Sequence, residues 1–463
     1  MRKLQSVLYW LTSLAVLIVS GGVVNAQETK YALKGKIVTP DRVIEGGTIV
    51  ILGNKIREIG TNSVLTDETR VIDTGGIIVP GFVDLHNHLT WNLLPRWKPN
   101  KEFANRYEWQ QMAMYKIALV TPHGEIFKKG LGCDTNRYAE VKAIVQGETS
   151  VVGSLGPEKC IEGLARNLDY FSELGVNILG SESLRYEVFP LELQTPVADG
   201  IRKALDKKEL TAFIVHLAEG RPTDASAARE FKMLKAQGFL RPGVSIIHGS
   251  ALKQAEFQEL SMAGVGLIWS PRSNIELYGA TTDVAAAVRE HVKIALSPDW
   301  SPTGSNGMLE ELKFSAIWNQ GQVPAIFTSA ELVRMATEYP AQLAGLADKI
   351  GTLAPGYYAD LLVVKSKEKD PYEAVLHASP TDVELVIIGG EPVYGNPELL
   401  RKILGTQPLE TLTVCGVQKA IYFGSEARLQ GTRPKSWKQT TDDLTSALSQ
   451  WGSSLAPLAD CAN

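Results

Sequence analysis

Apolar and polar positions alternate in short runs near both ends of the chain. From residue 31 to residue 78, runs such as GKIVTP, GGTIVILG and NKIREIG are broken at Gly, Pro and Asn, and KIGTLAPGYYADLLVVK and VELVIIGGEPVYG repeat the pattern far downstream. Short apolar runs bounded by turn-forming residues are typical of antiparallel strands. Because the first segment has too few strands to close a sheet, we predict one small β-sandwich formed by residues 30–78 and 349–425.

Between these segments, in residues 79–348, strand-like apolar runs alternate with helical stretches, which favours repeated βα units. Seven runs are strand candidates: IVPGFVDLH, TSVVGS, VNILGS, TAFIVHL, VSIIHG, VGLIWS and VKIALSPD. The segment ARNLDYF is the candidate for an eighth, and eight such units would close a (β/α)8 barrel. The predicted fold class is therefore α/β, a (β/α)8 TIM barrel with a small β-sandwich domain.

Two segments lie outside this pattern. Residues 89–148 form a long insertion after the first barrel strand, rich in Trp and Tyr and including Trp91. The insertion lies at the barrel face where active sites form, so it predicts either a lid or specificity wall, or aromatic side chains that pack a helical excursion against the barrel. Residues 426–463 are predicted to be a helical extension docked on the body.

The first 26 residues have the pattern of a signal peptide. Arg2 and Lys3 precede an apolar run from Val7 to Val19, and small residues ending at Ala26 offer a cleavage site. We expect a secreted or periplasmic protein with no membrane contact after cleavage. An uncleaved membrane anchor is the alternative.

Composition narrows the function classes. The chain has 463 residues, 44% hydrophobic and 21% charged, which is ordinary for a globular protein of two structural units. A formal charge of −4 gives no basic footprint for nucleic acid.

Exported cysteines are expected to pair, by proximity Cys133 with Cys160 and Cys415 with Cys461, with four free thiols as the alternative. The sequence leaves the oligomeric state open, a homo-oligomer included.

Histidines mark the candidate chemistry. His86 and His88 flank Asn87 on an extended segment, so their rings project from the same face and can reach one cation. Since the carboxyl ends of parallel barrel strands converge on one mouth, polar residues at other strand ends join this pair. They are His216, His248 and Asp299. The other three of the seven histidines are predicted to be solvated or structural: His123, His291 and His377.

A cation held by three imidazoles and a carboxylate keeps room for water, whose pKa zinc can lower from about 15.7 to about 7. A proton must then move from that water to a leaving nitrogen. Glu219 lies three residues after His216 and can turn its carboxylate back over the water. The alternative is that Glu219 caps the helix that follows.

An ordered series of segments resembles the amidohydrolase superfamily, specifically its cytosine deaminase and triazine hydrolase-like branch, which is related to imidazolonepropionase. The segments are GGIIVPGFVDLHNH, HLAEG, the HG of the sixth strand, WSPRSN, and IGTLAPGYYADLLVV. The resemblance covers nearly the whole chain after residue 26. It implies one divalent metal, usually zinc and sometimes Fe2+, bound by His86, His88, His216 and Asp299.

The resemblance also implies roles for individual residues. Asp299 would hold and deprotonate the water, Glu219 would be the proton shuttle, and His248 would polarise the bond being broken. The residues implied to line or brace the pocket are Arg272 and Asn274, and Trp91 is a further candidate substrate contact. If Glu182 bridged a second metal, His248 would become a ligand.

These features predict an exported metal-dependent amidohydrolase that acts on a small molecule. It would hydrolyse a non-peptide carbon–nitrogen bond, by deamination of a heterocycle or opening of a cyclic amide, with metal-bound hydroxide as the nucleophile. Two alternatives stay open: a binuclear amidase or dipeptidase, and a non-catalytic exported metal-binding protein.

Overall fold

The computed structural model describes residues 30–61, 69–153, 164–169, 183–188, 193–424 and 435–461. The predicted signal peptide, the VNILGS strand, Cys160 and Glu182 therefore lie outside the described residues. The strands, in chain order, are β1 Lys30–Val38, β2 Val43–Leu52, β3 Lys55–Gly60, β4 Arg70–Pro80, β5 Phe82–Val83, β6 Glu148–Val151, β7 Arg166–Asn167, β8 Ser183–Glu187, β9 Leu210–Leu217, β10 Val244–His248, β11 Gly266–Trp269, β12 Ile294–Leu296, β13 Leu361–Val364, β14 Val383–Ile388, β15 Glu391–Gly395, β16 Glu410–Val414 and β17 Val417–Ile421.

Strands from both ends of the chain form one β-rich unit. They make a nine-stranded sheet in the order β16-β17-β15-β14-β13-β4-β1-β2-β3, and the antiparallel pairing of β4 with β13 joins the two halves. Successive residues point to opposite faces of a strand. Ile78 accordingly packs in the core of this unit, whereas Ile77 and Val79 pack in the core shared with the barrel. Burial on both faces explains the continuous apolar runs of β4 and β13.

Eight parallel strands form the barrel. β5, β6 and β7 make one parallel sheet, and β8 to β12 make another. Backbone hydrogen bonds join the two sheets at both edges: the Leu184 amide donates to the Leu168 carbonyl at 3.0 Å, and Asn87 bridges Asp299 in parallel. The strands thus follow one another in a ring. The α/β fold class with a parallel barrel and a separate β-rich unit is confirmed.

The third and fourth barrel strands are where the sequence was least informative. ARNLDYF does contain a strand, the two-residue β7. The fourth position in the ring is occupied by β8, which was not among the predicted strands. In β8 Arg185 is exposed and Glu187 is charged and half-buried, so the segment has no apolar run that would reveal it.

The helices surround the barrel and fill the insertion after β5. They are α1 Arg106–Gln110, α2 Ala113–Tyr115, α3 Thr121–Lys128, α4 Gly132–Val145, α5 Thr195–Asp206, α6 Ala225–Ala236, α7 Gln254–Met262, α8 Pro271–Tyr278, α9 Val284–Arg289, α10 Met308–Gln320, α11 Ser329–Met335, α12 Glu338–Leu343, α13 Pro371–His377, α14 Pro397–Leu404 and α15 Trp437–Ser449. Within the described part of the chain, no helix combines the length and the apolar character needed to cross a membrane.

The C-terminal segment is held against the barrel by several contacts. Trp437 of α15 stacks on Tyr138 of α4 with ring centroids 5.5 Å apart. Farther on, the Ala456 amide donates to the Leu93 carbonyl at 2.9 Å. A disulfide joins Cys415 to Cys461, as predicted. The other predicted disulfide stays a prediction because it includes a residue outside the described part.

Candidate metal centre and active site

Five predicted site residues meet at the carboxyl ends of the barrel strands. His86 and His88 follow β5, and the others end or follow later strands: His216 in β9, His248 in β10 and Asp299 after β12. The Nε2 atoms of His86 and His88 lie 3.1 and 3.4 Å from Asp299 Oδ1. Ligand atoms of His86, His216 and His248 also lie within 4.8 Å of one another. The predicted convergence is therefore present.

Hydrogen bonds on the outer ring nitrogens orient the imidazoles. His216 Nδ1 lies 3.1 Å from the Glu187 carbonyl oxygen, and His248 Nδ1 lies 2.8 Å from Asn274 Oδ1. Because both partners are acceptors, each Nδ1 donates, which leaves each Nε2 as the nitrogen available to a ligand. His86 Nδ1 is 2.7 Å from the Ser270 hydroxyl. Such outer contacts are how proteins orient histidine ligands toward a metal.

The backbone is strained at the same point. Ala218, His248 and Asp299 have φ values of 53°, 65° and 67°, in the left-handed region that residues with a side chain seldom adopt. Each such residue costs on the order of 1–3 kcal/mol and persists only where surrounding packing enforces it. Three of the six described non-glycine residues with positive φ thus lie at the barrel mouth.

The donor set fits a divalent cation. Burial lowers the pKa of the His86 and His216 imidazoles well below the usual histidine value, so both rings are neutral. The Nε2 atoms of these two residues are buried and have no hydrogen-bond partner, which is costly unless a ligand occupies them. Neutral imidazoles with one carboxylate are ligands that suit zinc and similar metals. His248 lies close enough to be a ligand as well as a neighbour.

A cavity of about 280 Å³ opens over the cluster. Half of the residues that line it beside the cluster are aromatic, and the others include one acid and one base: Trp91, Trp109, Tyr115, Trp300, Glu219, Arg106, Gln110 and Val188. Trp91 stacks flat on His123, with centroids 3.9 Å apart, which gives His123 a structural role. The insertion thus supplies part of the cavity wall, and within the insertion Trp97 stacks on Phe103 with ring centroids 5.9 Å apart.

Glu219 is nearly buried beside the cluster. Its Oε1 accepts a hydrogen bond from the Tyr278 hydroxyl, and its Oε2 lies 3.6 Å from His248 Nε2 and 3.9 Å from Arg106 Nη1. The alternative that Glu219 caps the next helix is wrong. Asp224 is the N-cap of α6, and its carboxylate accepts from the Ala227 amide.

The two residues from WSPRSN have different positions. Asn274 does not line the cavity but braces His248 through the 2.8 Å contact. The Arg272 guanidinium lies 3.3 Å from Asp460 and 3.7 Å from Glu310, on the side of the C-terminal segment. The structure thus gives Arg272 bracing contacts and brings it into no contact with the cavity.

Several residues of this site were missed from the sequence. Asp84 accepts from the His86 amide at 3.0 Å and from Asn87 Nδ2 at 2.6 Å, which fixes the HNH segment. The sequence could have identified Asp84 as a site residue, because it lies two residues before His86. Arg106 and Tyr278 carried no such signal, because each reaches Glu219 from a remote part of the chain.

Known proteins share this architecture. The model of the amidohydrolase family matches residues 197–393. The 5-methylthioadenosine/S-adenosylhomocysteine deaminase of Acetivibrio thermocellus is 24% identical over 400 residues, which cover 78% of this chain and 91% of that protein. The triazine hydrolase of Arthrobacter aurescens aligns with a TM-score of 0.62 at 18% identity, over 81% of this chain and 98% of that chain.

A third comparison concerns the metal. An adenosine deaminase from Xanthomonas campestris, solved with bound zinc, aligns with a TM-score of 0.61 at 16% identity, over 78% of this chain and 92% of that chain. The family match and these similarities agree with the histidine and aspartate cluster at the strand ends. The chain thus matches the amidohydrolase family over residues 197–393 and shares the fold of the triazine hydrolase and the adenosine deaminase.

Proposed function

We propose that this hydrolase of non-peptide carbon–nitrogen bonds deaminates an aminated nitrogen heterocycle, with zinc as its resident metal. The observation that carries the proposal is the Glu219 carboxylate, held beside the ligand cluster and facing the cavity. The similar proteins from Acetivibrio and Xanthomonas are deaminases by name, and the latter holds zinc, which supports both parts.

Each polar residue at the barrel mouth has a separate task. When bound, a divalent cation supplies Lewis acidity and makes a water molecule acidic near neutral pH. Asp299 would help to hold the cation and would accept a hydrogen bond or a proton from that water. Glu219 would take a proton from that water and deliver it to the leaving nitrogen, and His248 Nε2 would form a hydrogen bond with the attacking oxygen. The ring carbon gains oxygen, the carbon–nitrogen bond breaks, and ammonia leaves.

The cavity wall suits a flat ring. Trp91, Trp109 and Trp300 offer indole faces and edges, and aromatic rings pair favourably in offset or edge-to-face arrangements. Opening of a cyclic amide would use the same residues without release of ammonia, so it is the competing reaction.

Turnover of a substrate panel tests the proposal. Zinc-loaded protein is incubated with aminated heterocycles and cyclic amides, and ammonia and the product mass are recorded. We expect ammonia from at least one heterocycle and about one metal per chain. His216→Ala should lose metal and activity, whereas His377→Ala, an exposed histidine, should lose neither. Hydrolysis of cyclic amides without release of ammonia would overturn deamination. About two metals per chain would favour the binuclear amidase.

We also propose that the chain is exported and that residues 1–26 are removed. The Cys415–Cys461 disulfide supports this, because disulfides persist in oxidising compartments. Protein recovered from the periplasm or medium should begin at Gln27 and carry this disulfide, as determined by terminal sequencing and intact mass. Full-length protein with free thiols, confined to the cytoplasm, would contradict export.

A further inference from the structure

Tyr278 connects the candidate proton shuttle to the insertion. Its hydroxyl accepts from Trp109 Nε1 at 2.9 Å and donates to Glu219 Oε1. An indole nitrogen can only donate and an ionised carboxylate can only accept, so with Glu219 ionised the direction of both hydrogen bonds is fixed. The single proton of the Tyr278 hydroxyl is thereby committed to Glu219. Tyr278 itself is 1% exposed and has no room to exchange this partner for bulk water.

The two oxygens of Glu219 consequently have different surroundings. Oε1 is anchored by Tyr278, while Oε2 lies near His248 and Arg106. A proton shuttle must present the same oxygen to the water and then to the leaving group, and a freely rotating carboxylate would present it only part of the time. The anchor on Oε1 leaves Oε2 as the oxygen available for proton transfer.

Tyr278 belongs to a row of positioning contacts on one helix. Ser270 is the N-cap of α8, and Asn274 and Tyr278 follow at intervals of four residues, which places all three along one helix face. Ser270 contacts His86 Nδ1 and Asn274 contacts His248 Nδ1. One face of α8 therefore contacts His86, His248 and Glu219. The helix ends at Gly279, whose φ of 69° lies in the left-handed region that favours glycine.

We propose that Tyr278 is a positioning residue that holds Glu219 for proton transfer, and that Trp109 fixes the direction of the Tyr278 hydroxyl. This inference rests on the proposed function. It makes the insertion part of the proton-transfer machinery as well as part of the cavity wall, because Trp109 lies on α1.

Tyr278→Phe keeps the ring and removes the hydroxyl. A hydrogen bond to a charged group is strong enough that its loss should lower kcat about 10- to 100-fold. KM and metal content should stay within about twofold of wild type, since Tyr278 neither lines the cavity nor contacts the ligand atoms. Tyr31→Phe is the matched control: this buried tyrosine donates to the Gly390 carbonyl in the nine-stranded sheet, and its loss should leave kcat unchanged.

A second background separates positioning from general structural damage. If Tyr278 acts only through Glu219, Tyr278→Phe should cause no further loss in a Glu219→Gln enzyme. Equal losses in both backgrounds would overturn the inference.

Crystal structures of wild-type and Tyr278→Phe protein need no substrate, so they test the inference even if deamination fails. We expect a rotated or doubly placed Glu219 carboxylate and an unchanged histidine cluster. A carboxylate that keeps its position in the variant would overturn the inference. Absence of turnover in the wild type would instead count against the proposed function alone.

Discussion

Glu219→Gln is expected to lower kcat by about 10²- to 10⁴-fold while the metal content stays at the wild-type level. Glutamine has the same shape and can still accept from the Tyr278 hydroxyl, but its amide cannot take up and release a proton near neutral pH. Glu219 belongs to neither group of side chains that converge as ligands, so its charge is not needed to hold the cation. Steady-state kinetics and metal analysis of the same preparation measure both effects.

Glu276→Gln is the matched control for this variant. Glu276 lies on α8 as well, but it is exposed and its contact is with Arg96. The control should have wild-type kcat, KM and metal content. A Glu219→Gln enzyme with wild-type kcat would remove Glu219 from the mechanism, and one that lost its metal would make Glu219 a ligand.

The ligand cluster was predictable because it depends on topology. Parallel strands bring their carboxyl ends to one mouth, so a polar residue at a strand end is placed by the fold alone. An apolar run that identifies the strand in the sequence leads to each of three polar residues, His216, His248 and Asp299. The fourth strand lacked such a run, since Arg185 is exposed there, and so it was missed.

The hydrogen-bond network was not predictable to the same degree. The spacing of Ser270, Asn274 and Tyr278 was visible in SPRSNIELY, but their partners lie up to 184 residues away and depend on how α8 packs. Arg272 belongs to the same motif and points away from the cavity. A helical residue two positions after Ser270 is rotated by roughly 200° around the axis, so it cannot share that face.

Asp360→Ala is expected to lower the free energy of unfolding by about 3–5 kcal/mol, the usual cost of leaving a buried charge without its partner. Asp360 Oδ1 and Oδ2 lie 2.8 and 3.1 Å from Arg166 Nη2 and Nε, and the two side chains are 2% and 0% exposed. The same carboxylate accepts from the Gly389 amide at 2.7 Å. Denaturant unfolding of wild-type and variant protein measures the loss.

The size of this effect follows from where the pair lies. Arg166 is in β7 of the barrel, whereas Asp360 directly precedes β13 of the nine-stranded sheet, so the pair joins the two units at a buried point. Asp206→Ala is the control, because its ion pair with Arg241 is exposed and should contribute less than about 1 kcal/mol. Equal losses of unfolding free energy in the two variants would show that the buried pair contributes no more to stability than an exposed ion pair. If the pair is needed only as two matched charges, replacing both with apolar residues of similar size should recover most of the stability.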